Sequence, residues 1–365
     1  MVDPPQDHLS PIDSAGASAA ELTQALGRCE VLVQAKPTDT LAWCYHSYLL
    51  GRLGRYPEAI ASYQKTLALV ADDPMVWANY GTALAAAGWK TEAMNAYDRA
   101  LTLAPNHPRL LYRYGQLLHW LQRYDRALET YSQALALLPE DPLIWYAKGL
   151  SAYRLHQLET AIACFQTALQ FSPSHREAHL ALAYALTRLR RYGEALAYLE
   201  EPLREGWADA RLYSCHAYLL RRLGQATAAL SQIQQAVRLD PDNACIWFQQ
   251  GITLARLTRY EEAYQALTES LKREIYSVRG WLVLGLTLRQ LTRYEDAIAA
   301  FNKALAIEPD QAAAFFQQAC CYAALDRQDW AIEHLRRAIA LDPSKYRDRA
   351  QREALLKALP QGSVG

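Results

Sequence analysis

The sequence contains no uninterrupted apolar run of the length that crosses a membrane, although 51% of its 365 residues are hydrophobic. A membrane-spanning helix needs about 20 consecutive apolar residues. Charged residues make up 21% of the chain, so it is too apolar to be disordered as a whole. We therefore expect a folded protein without a membrane span.

An excess of charge of either sign is also absent, because Lys and Arg number 38 and Asp and Glu number 38. A net charge of zero argues against a strongly basic nucleic-acid-binding protein and against an acidic tail protein. It does not exclude a local charged patch, which has to be sought along the chain.

Cysteine occurs only seven times, and no two cysteines form a C-x-x-C pair. The positions are Cys29, Cys44, Cys164, Cys215, Cys245, Cys320 and Cys321. An odd number without that spacing argues against a disulfide framework and against a zinc site. We expect reduced thiols in a cytoplasmic protein, used as small apolar side chains in the core.

Motifs of catalysis are missing as well. The sequence has no G-x-x-x-x-G-K-[ST] loop, no G-x-G-x-x-G after a strand and no G-x-S-x-G elbow. His175 and His179 have the i, i+4 spacing of two metal ligands, but no third ligand is apparent, and His179 lies at an apolar position of the repeat described next. We predict a protein that is not an enzyme and has no cofactor or metal.

Alanine recurs every 34 residues without an insertion. The alanines are Ala59, Ala93, Ala127, Ala161, Ala195, Ala229, Ala263, Ala297 and Ala331. Numbering the nine repeats from residues 40, 74, 108 and so on to 312 puts every one of these alanines at position 20. A fixed period of this length is typical of stacked helical repeats.

Other positions recur in the same register. Position 4 is aromatic in most repeats, position 8 is always Gly, Ala or Ser, position 24 is large and apolar, and position 32 is proline in six repeats. Positions 4, 7, 8 and 11 fall on one face of a first helix, and positions 20, 24 and 27 on one face of a second. Because one helical hairpin cannot bury both faces, neighbouring hairpins have to stack.

The second repeat shows the pattern well, with Trp77, Tyr80, Gly81, Leu84, Ala93, Tyr97, Ala100 and Pro105. It resembles the tetratricopeptide repeat family, whose pattern is W-x2-L-G-x2-Y, then A-x3-F, then P. The resemblance covers residues 40–345 and implies an all-α fold, a right-handed α-solenoid (superhelix) of nine helical hairpins. We expect residues 1–18 to be a flexible arm, 19–39 a half-repeat helix and 346–365 a capping helix with a tail.

The fifth repeat departs most from the pattern, because Pro202 falls inside its expected second helix. An interior proline removes a backbone hydrogen bond and clashes with the preceding turn, so we expect this helix to be short or kinked. The seventh repeat lacks the proline at position 32 and has Ile275 there. Drift among repeats and a hinge in the solenoid are both open interpretations.

Charge is segregated by helix type. Positions 1–14 of the nine repeats contain thirteen Lys or Arg and a single acidic residue, Glu177. Since the whole chain is neutral, the remaining positions carry the matching excess of acidic residues. We expect the first helices to form a basic surface.

In the family that the sequence resembles, positions 2, 5, 9, 12 and 13 of the first helices line the concave groove. On this basis we assign a set of residues to a partner-binding groove, and we add Arg113, which lies outside those positions. The set is Arg52, Tyr112, Arg113, Trp120, Tyr146, Tyr153, Arg154, Tyr184, Arg188, Tyr218, Arg221, Arg222, Phe248, Arg256 and Arg289. Tyr48, Arg109, Arg211 and Arg279 occupy further positions of this set. Arg154, Arg188, Arg222 and Arg256 share position 13 in successive repeats, so we expect them to form a line.

Arg, Tyr and Trp together are typical of interaction hot spots. We predict an interaction scaffold or assembly factor that binds an acidic helix or extended segment of another protein. The alternatives are a nucleic acid in the same groove, with Arg on phosphates and Tyr on bases, and a solvated cationic face without a partner. An enzyme subunit is disfavoured, and self-association is left open. The Lys and Asn pattern of the clamp that binds chaperone tails is absent, since Cys44 and Tyr48 occupy its first positions.

Overall fold

The structure, a computed structural model, describes residues 18–207 and 209–356. These residues form twenty α-helices and one short 3-10 helix, without a strand among them, and this confirms the predicted all-α fold class. The helices are α1 Ala19–Ala35, α2 Thr40–Arg52, α3 Tyr56–Leu69, α4 Pro74–Ala86, α5 Lys90–Leu103, α6 Pro108–Trp120, α7 Tyr124–Leu137, α8 Pro142–Arg154, α9 Leu158–Phe171, α10 Arg176–Arg188, α11 Tyr192–Arg204, α12 Ala210–Arg222, α13 Ala226–Leu239, α14 Ala244–Arg256, α15 Tyr260–Arg273, α16 Val278–Gln290, α17 Tyr294–Ile307, α18 Ala312–Ala324, α19 Gln328–Leu341 and α20 Pro343–Arg352. None of the helices in the described ranges is both long and apolar enough to cross a bilayer.

The helix boundaries follow the 34-residue period. Every repeat has a first helix of 13 residues that begins at position 1, and eight of the nine second helices have 14 residues from position 17. The exception is α11, which contains Pro202 and ends at Arg204 after 13 residues. The helix thus continues two residues beyond the proline, and the amide of Trp207 then donates to the carbonyl of Pro202, 3.1 Å away.

The chain divides into an N-terminal unit, residues 1–191, and a C-terminal unit, residues 192–365. In each unit the large side chains at position 24 of the second helices are buried. They are Tyr63, Tyr97, Tyr131 and Phe165 in the N-terminal unit and Leu199, Ile233, Leu267, Phe301 and Leu335 in the C-terminal unit. The alanines at position 20 of the same helices are completely buried, and their small side chains allow neighbouring helices to approach closely.

A second recurring contact ties five of the nine first helices to the turn that follows the preceding helix. The indole Nε1 of Trp77 donates to the carbonyl of Ala71, 2.7 Å away, and Trp145 donates in the same way to Pro139. Trp43, Trp247 and Trp281 make the equivalent bond to the residue six positions earlier. The tryptophan at position 4 therefore fills the core and also satisfies a carbonyl at a helix end that lacks an intrahelical partner.

The turn inside each repeat has a left-handed residue at position 15. Gly54, Gly88 and Gly224 occupy it in three repeats, with φ between 73° and 88°. In the other six repeats the residues with φ of 56–61° are Gln122, His156, Arg190, Thr258, Thr292 and Asp326. Glycine adopts this conformation without a steric penalty, whereas a side chain there costs about 1–2 kcal/mol.

The ends of the described chain have specific contacts. Ser18 and Glu21 form a capping box at the start of α1. At the other end, Tyr346 of α20 is 1% exposed, with its ring 5.0 Å from that of Phe316, and Leu356 of the 3-10 helix is also buried. The expected arm, apart from Ser18, and residues 357–365 of the expected tail lie outside the described residues.

Candidate partner-binding surfaces

The first helices of the N-terminal unit form a basic pocket of about 120 Å³ near its N-terminal end. Among the described residues that line it are Arg52, Arg109 and Arg113, and none of the described lining residues is Asp or Glu. Arg52 donates to the phenol oxygen of Tyr48 at 2.8 Å, and Arg113 donates to Oδ1 of Asn79 at 2.6 Å. Both guanidinium groups are therefore oriented in part by neutral partners, the phenol of Tyr48 and the amide of Asn79.

Aromatic side chains extend this basic surface. Tyr48 is 40% exposed and Trp120 is 44% exposed, and the ammonium group of Lys90 lies 5.3 Å from the Trp120 ring. Lys90 begins a second helix, so an assignment confined to first-helix positions could not include it. Tyr112 is half-buried, and its phenol oxygen accepts from Gln116 at 2.9 Å. This part of the unit offers wide aromatic faces next to cations.

The remaining candidates of the N-terminal unit differ in accessibility. Tyr146 and Tyr153 are buried, at 7% and 6% exposed, whereas Arg154 and Tyr184 are half-buried and Arg188 is exposed. Tyr146 packs against Phe165 and His175, so it contributes mainly to the core. The Arg188 guanidinium lies 5.9 Å from the centroid of the Tyr153 ring. Of these two side chains, Arg188 is the one exposed to solvent.

The C-terminal unit brings four arginines of its first helices close together. Arg221 at the end of α12 is only 7% exposed, and its charge is affected by Arg256, Arg279 and Arg222. Burial and these three positive charges, in that order, lower the pKa of Arg221 to about 10. Since a cation at this position is opposed by its surroundings, the arrangement favours a bound anion.

Aromatic rings hold these arginines in place. Arg221 lies over Tyr218 at 5.4 Å from the ring centroid, Arg222 over Tyr192 at 5.0 Å, and Arg279 over Phe248 at 5.1 Å. Arg256 donates to the main-chain carbonyl of Arg221 at 3.3 Å. A ring beneath a guanidinium restricts its position, and Nη2 of Arg222 in addition donates to the hydroxyl of Tyr192 at 2.8 Å.

Arg289 lies in a different environment from the other C-terminal candidates. Its Nη1 is 3.4 Å from Oε1 of Glu353, which follows α20, and its side chain is 17% exposed. The charge of Arg289 is therefore matched by a carboxylate of the same chain. A partner that reached this residue would compete with Glu353.

The two histidines with metal-ligand spacing have other contacts. His179, buried at position 4, places Nε2 2.9 Å from the carbonyl of Pro173 and so stands where tryptophan donates in other repeats. His175 precedes α10, and its Nδ1 accepts from the amide of Ala178 at 3.4 Å. Among the described residues, no group of three or more His, Cys, Asp or Glu side chains is placed to hold a metal ion.

Comparison with known families gives matches along most of the chain. One family model described as tetratricopeptide repeat matches residues 46–108, 216–277 and 282–346, which together exceed half of the chain. Two further models with the same description match residues 90–150 and 121–185. No curated protein matches.

Solved structures of similar proteins cover parts of the chain. Residues 41 to the end of MamA from Desulfovibrio magneticus RS-1 are 26% identical, with a TM-score of 0.42, over 45% of this chain and 93% of that one. PilF from Pseudomonas aeruginosa is 22% identical, with a TM-score of 0.49, over 56% of this chain and 95% of its own. A tetratricopeptide repeat protein from Parabacteroides merdae ATCC 43184 is 17% identical, with a TM-score of 0.49, over 64% and 93%.

Proposed function

The chain belongs to the tetratricopeptide repeat family, and on that premise we propose that it is a non-enzymatic interaction scaffold or assembly factor that binds an acidic segment of a partner protein. The segment lies on the basic surfaces of the first helices, one in each unit. We further propose a cytoplasmic location, supported by seven cysteines that form no disulfide among the described residues.

The observation that carries the proposal is the excess of basic over acidic residues in the first helices. The first helices contain thirteen basic residues and one acidic residue, and the described residues that line the pocket around Arg52, Arg109 and Arg113 include no Asp or Glu. Guanidinium groups favour carboxylates, with which they form two parallel hydrogen bonds. Exposed Tyr48 and Trp120 add apolar contact area of the kind that dominates binding energy.

A charge-reversal experiment tests the proposal in each unit. The N-terminal variant is Arg109→Glu with Arg113→Glu, and the C-terminal variant is Arg222→Glu with Arg256→Glu. A matched control, Arg204→Glu with Arg238→Glu, places the same charges on exposed positions of the second helices α11 and α13. Affinity capture from the native organism identifies the partner, and binding of the purified partner is then compared across the variants.

We expect the two first-helix variants to bind the partner at least about tenfold more weakly, whereas the control stays within about twofold of the wild type. Equal binding by all four proteins would refute the proposal. A nucleic acid as the captured ligand would give a steep dependence of affinity on salt with little sequence preference. That result would replace the protein partner by the alternative considered from the sequence.

A further inference from the structure

Arg221 is a buried cation whose guanidinium makes neither a hydrogen bond nor an ion pair with any described residue. Arg221 is 7% exposed, and its Nε has no hydrogen-bond partner in the part of the chain that the structure describes. Its contact with Tyr218 is through the ring face. A buried charge without a counterion is costly, so proteins normally pair it.

The neighbours of Arg221 make this arrangement less favourable rather than more. Arg256, Arg279 and Arg222 all raise the positive potential at Arg221. None of these four arginines forms an ion pair within the described residues, unlike Arg289, which is paired with Glu353, or Arg259, which is paired with Glu262. The first helices α12, α14, α16 and α18 contain no Asp or Glu that could neutralise the cluster.

The geometry of the four side chains suits an anion from outside the chain. Three of the guanidinium groups lie over the rings of Tyr218, Tyr192 and Phe248. Nη2 of Arg222 also donates to the hydroxyl of Tyr192 at 2.8 Å, so the N–H groups that remain for a ligand are those of Arg221 and Arg279 and the rest of the Arg222 edge. The fourth, Arg256, is held beside Arg221 by its bond to the Arg221 carbonyl. Edge-on N–H groups in a fixed plane match the two oxygens of a carboxylate.

We propose that Arg221, Arg222, Arg256 and Arg279 form a discrete subsite for carboxylate side chains of an acidic peptide, with Tyr218 and Phe248 as its apolar walls. The inference rests on the proposed function, because it assigns one position at which the acidic segment is held. Arg221 supplies the buried contact at the bottom of the subsite, and the more exposed Arg222, Arg256 and Arg279 surround it. Binding a carboxylate there gives Arg221 the counterion that the described chain does not provide.

The test uses the full chain and acetylated hexaglutamate as the probe, with acetylated hexaglutamine as the uncharged control peptide. The test variant is Arg221→Met, which removes the charge but keeps an unbranched side chain that fills space. Its matched control is Arg238→Met, which removes one charge from an exposed position of α13 in the same unit. Affinity is measured by titration calorimetry at constant salt, and the melting temperature is measured without peptide.

We expect wild type and Arg238→Met to bind hexaglutamate with similar affinity and Arg221→Met to bind it at least about tenfold more weakly. Without peptide, we expect Arg221→Met to melt at a higher temperature than wild type, because an unpaired buried cation has been removed. Hexaglutamate is expected to raise the melting temperature of wild type, and to do so less in Arg221→Met. A role of Arg221 in packing alone would instead lower the melting temperature of the variant.

Three results would overturn the subsite. If Arg221→Met binds hexaglutamate as wild type does while Arg109→Glu with Arg113→Glu does not, the proposed function stands and the subsite is wrong. If a phosphoserine peptide or a single-stranded oligodeoxynucleotide binds wild type more than about tenfold better than hexaglutamate, the ligand is not a carboxylate peptide. If no protein in the series binds hexaglutamate, the subsite is wrong, whereas the proposed function is decided by the binding of the captured partner to the charge-reversal variants.

Discussion

The backbone of Gly81 in α4 lies directly against the ring of Tyr97 in α5. A Cβ atom built on Gly81 would be 2.7 Å from Cδ2 of Tyr97 and 3.2 Å from the carbonyl oxygen of Ala93. Tyr97 cannot yield easily, because it is 2% exposed and its hydroxyl lies 2.7 Å from Oγ1 of Thr82. The two helices of the repeat therefore approach each other at a distance that only glycine permits at this position.

We expect Gly81→Ala to lower the free energy of unfolding by about 1–3 kcal/mol, because the added methyl group overpacks the contact with Tyr97. Gly27→Ala is the control, since Gly27 lies in α1 and a Cβ there meets nothing within 4 Å. That change should raise stability by about 0.5–1 kcal/mol through helix propensity. Denaturant unfolding measures both, and a loss of similar size in the two variants would contradict the close approach.

The sequence predicted which faces of the helices pack together, because small residues occur where two helices cross. Gly81 and Ala93 are separated by the spacing that pairs position 8 with position 20, and both are completely or nearly completely buried in the structure. The left-handed turn residue was less readable. Position 15 is glycine in only three of nine repeats, so residues such as Gln122 give no sign of a positive φ. The packing of the flanking helices imposes a positive φ at this position, although non-glycine residues prefer a negative φ.

The strain at position 15 gives a second prediction. Thr292 has φ of 58°, which is unfavourable for a β-branched residue. We expect Thr292→Gly to raise the free energy of unfolding by about 1 kcal/mol, since glycine removes the steric penalty. The same change at Thr227, which is exposed in the first turn of α13, should instead lower stability by about 0.3–0.5 kcal/mol. Thermal unfolding compares the two, and a loss at Thr292 would show that the threonine is not strained.

The candidate site was less predictable than the fold. Repeat position selected Tyr146 and Arg221 as surface residues, but their exposure depends on the side chains that the neighbouring repeats supply. Tyr146 is covered by His175, which belongs to the turn before the next repeat. The pairing of Arg289 with Glu353 depends on how the chain folds back after α20, and a 34-residue period contains no information about that segment.

Burial of His216 in α12 gives a pH dependence to stability. His216 is 8% exposed, and burial lowers the pKa of its imidazole, although Glu200 opposes the shift. The unfolded chain therefore binds a proton more readily than the folded chain, with an ordinary pKa of about 6.5. The contribution of neutral His216 to the stability of the fold is fully present above that pH. It is lost as the pH falls toward the lower pKa of His216 in the folded state.

We expect the melting temperature of the wild type to fall between pH 7.5 and pH 5.5, with His216 contributing to the change. His216→Gln removes the titrating group and should make the profile flatter, even if the variant is less stable at pH 7.5. The comparison is between slopes and not between absolute stabilities. Parallel profiles for the two proteins would exclude His216 as a source of the pH dependence.

The hydrogen bond from Trp77 to the carbonyl of Ala71 separates two roles of the tryptophan at position 4. Trp77→Phe keeps an aromatic ring in the packing beside Tyr80 but removes the indole N–H, so the carbonyl at the end of α3 loses its donor. We expect a loss of about 0.5–1.5 kcal/mol in the free energy of unfolding, the usual contribution of one such bond. Trp89→Phe is the control within the same repeat, because Trp89 is 51% exposed and precedes α5 without a side-chain cap bond. It should change stability by no more than about 0.5 kcal/mol. Equal effects of the two changes would mean that ring size, and not the indole donor, accounts for tryptophan at position 4.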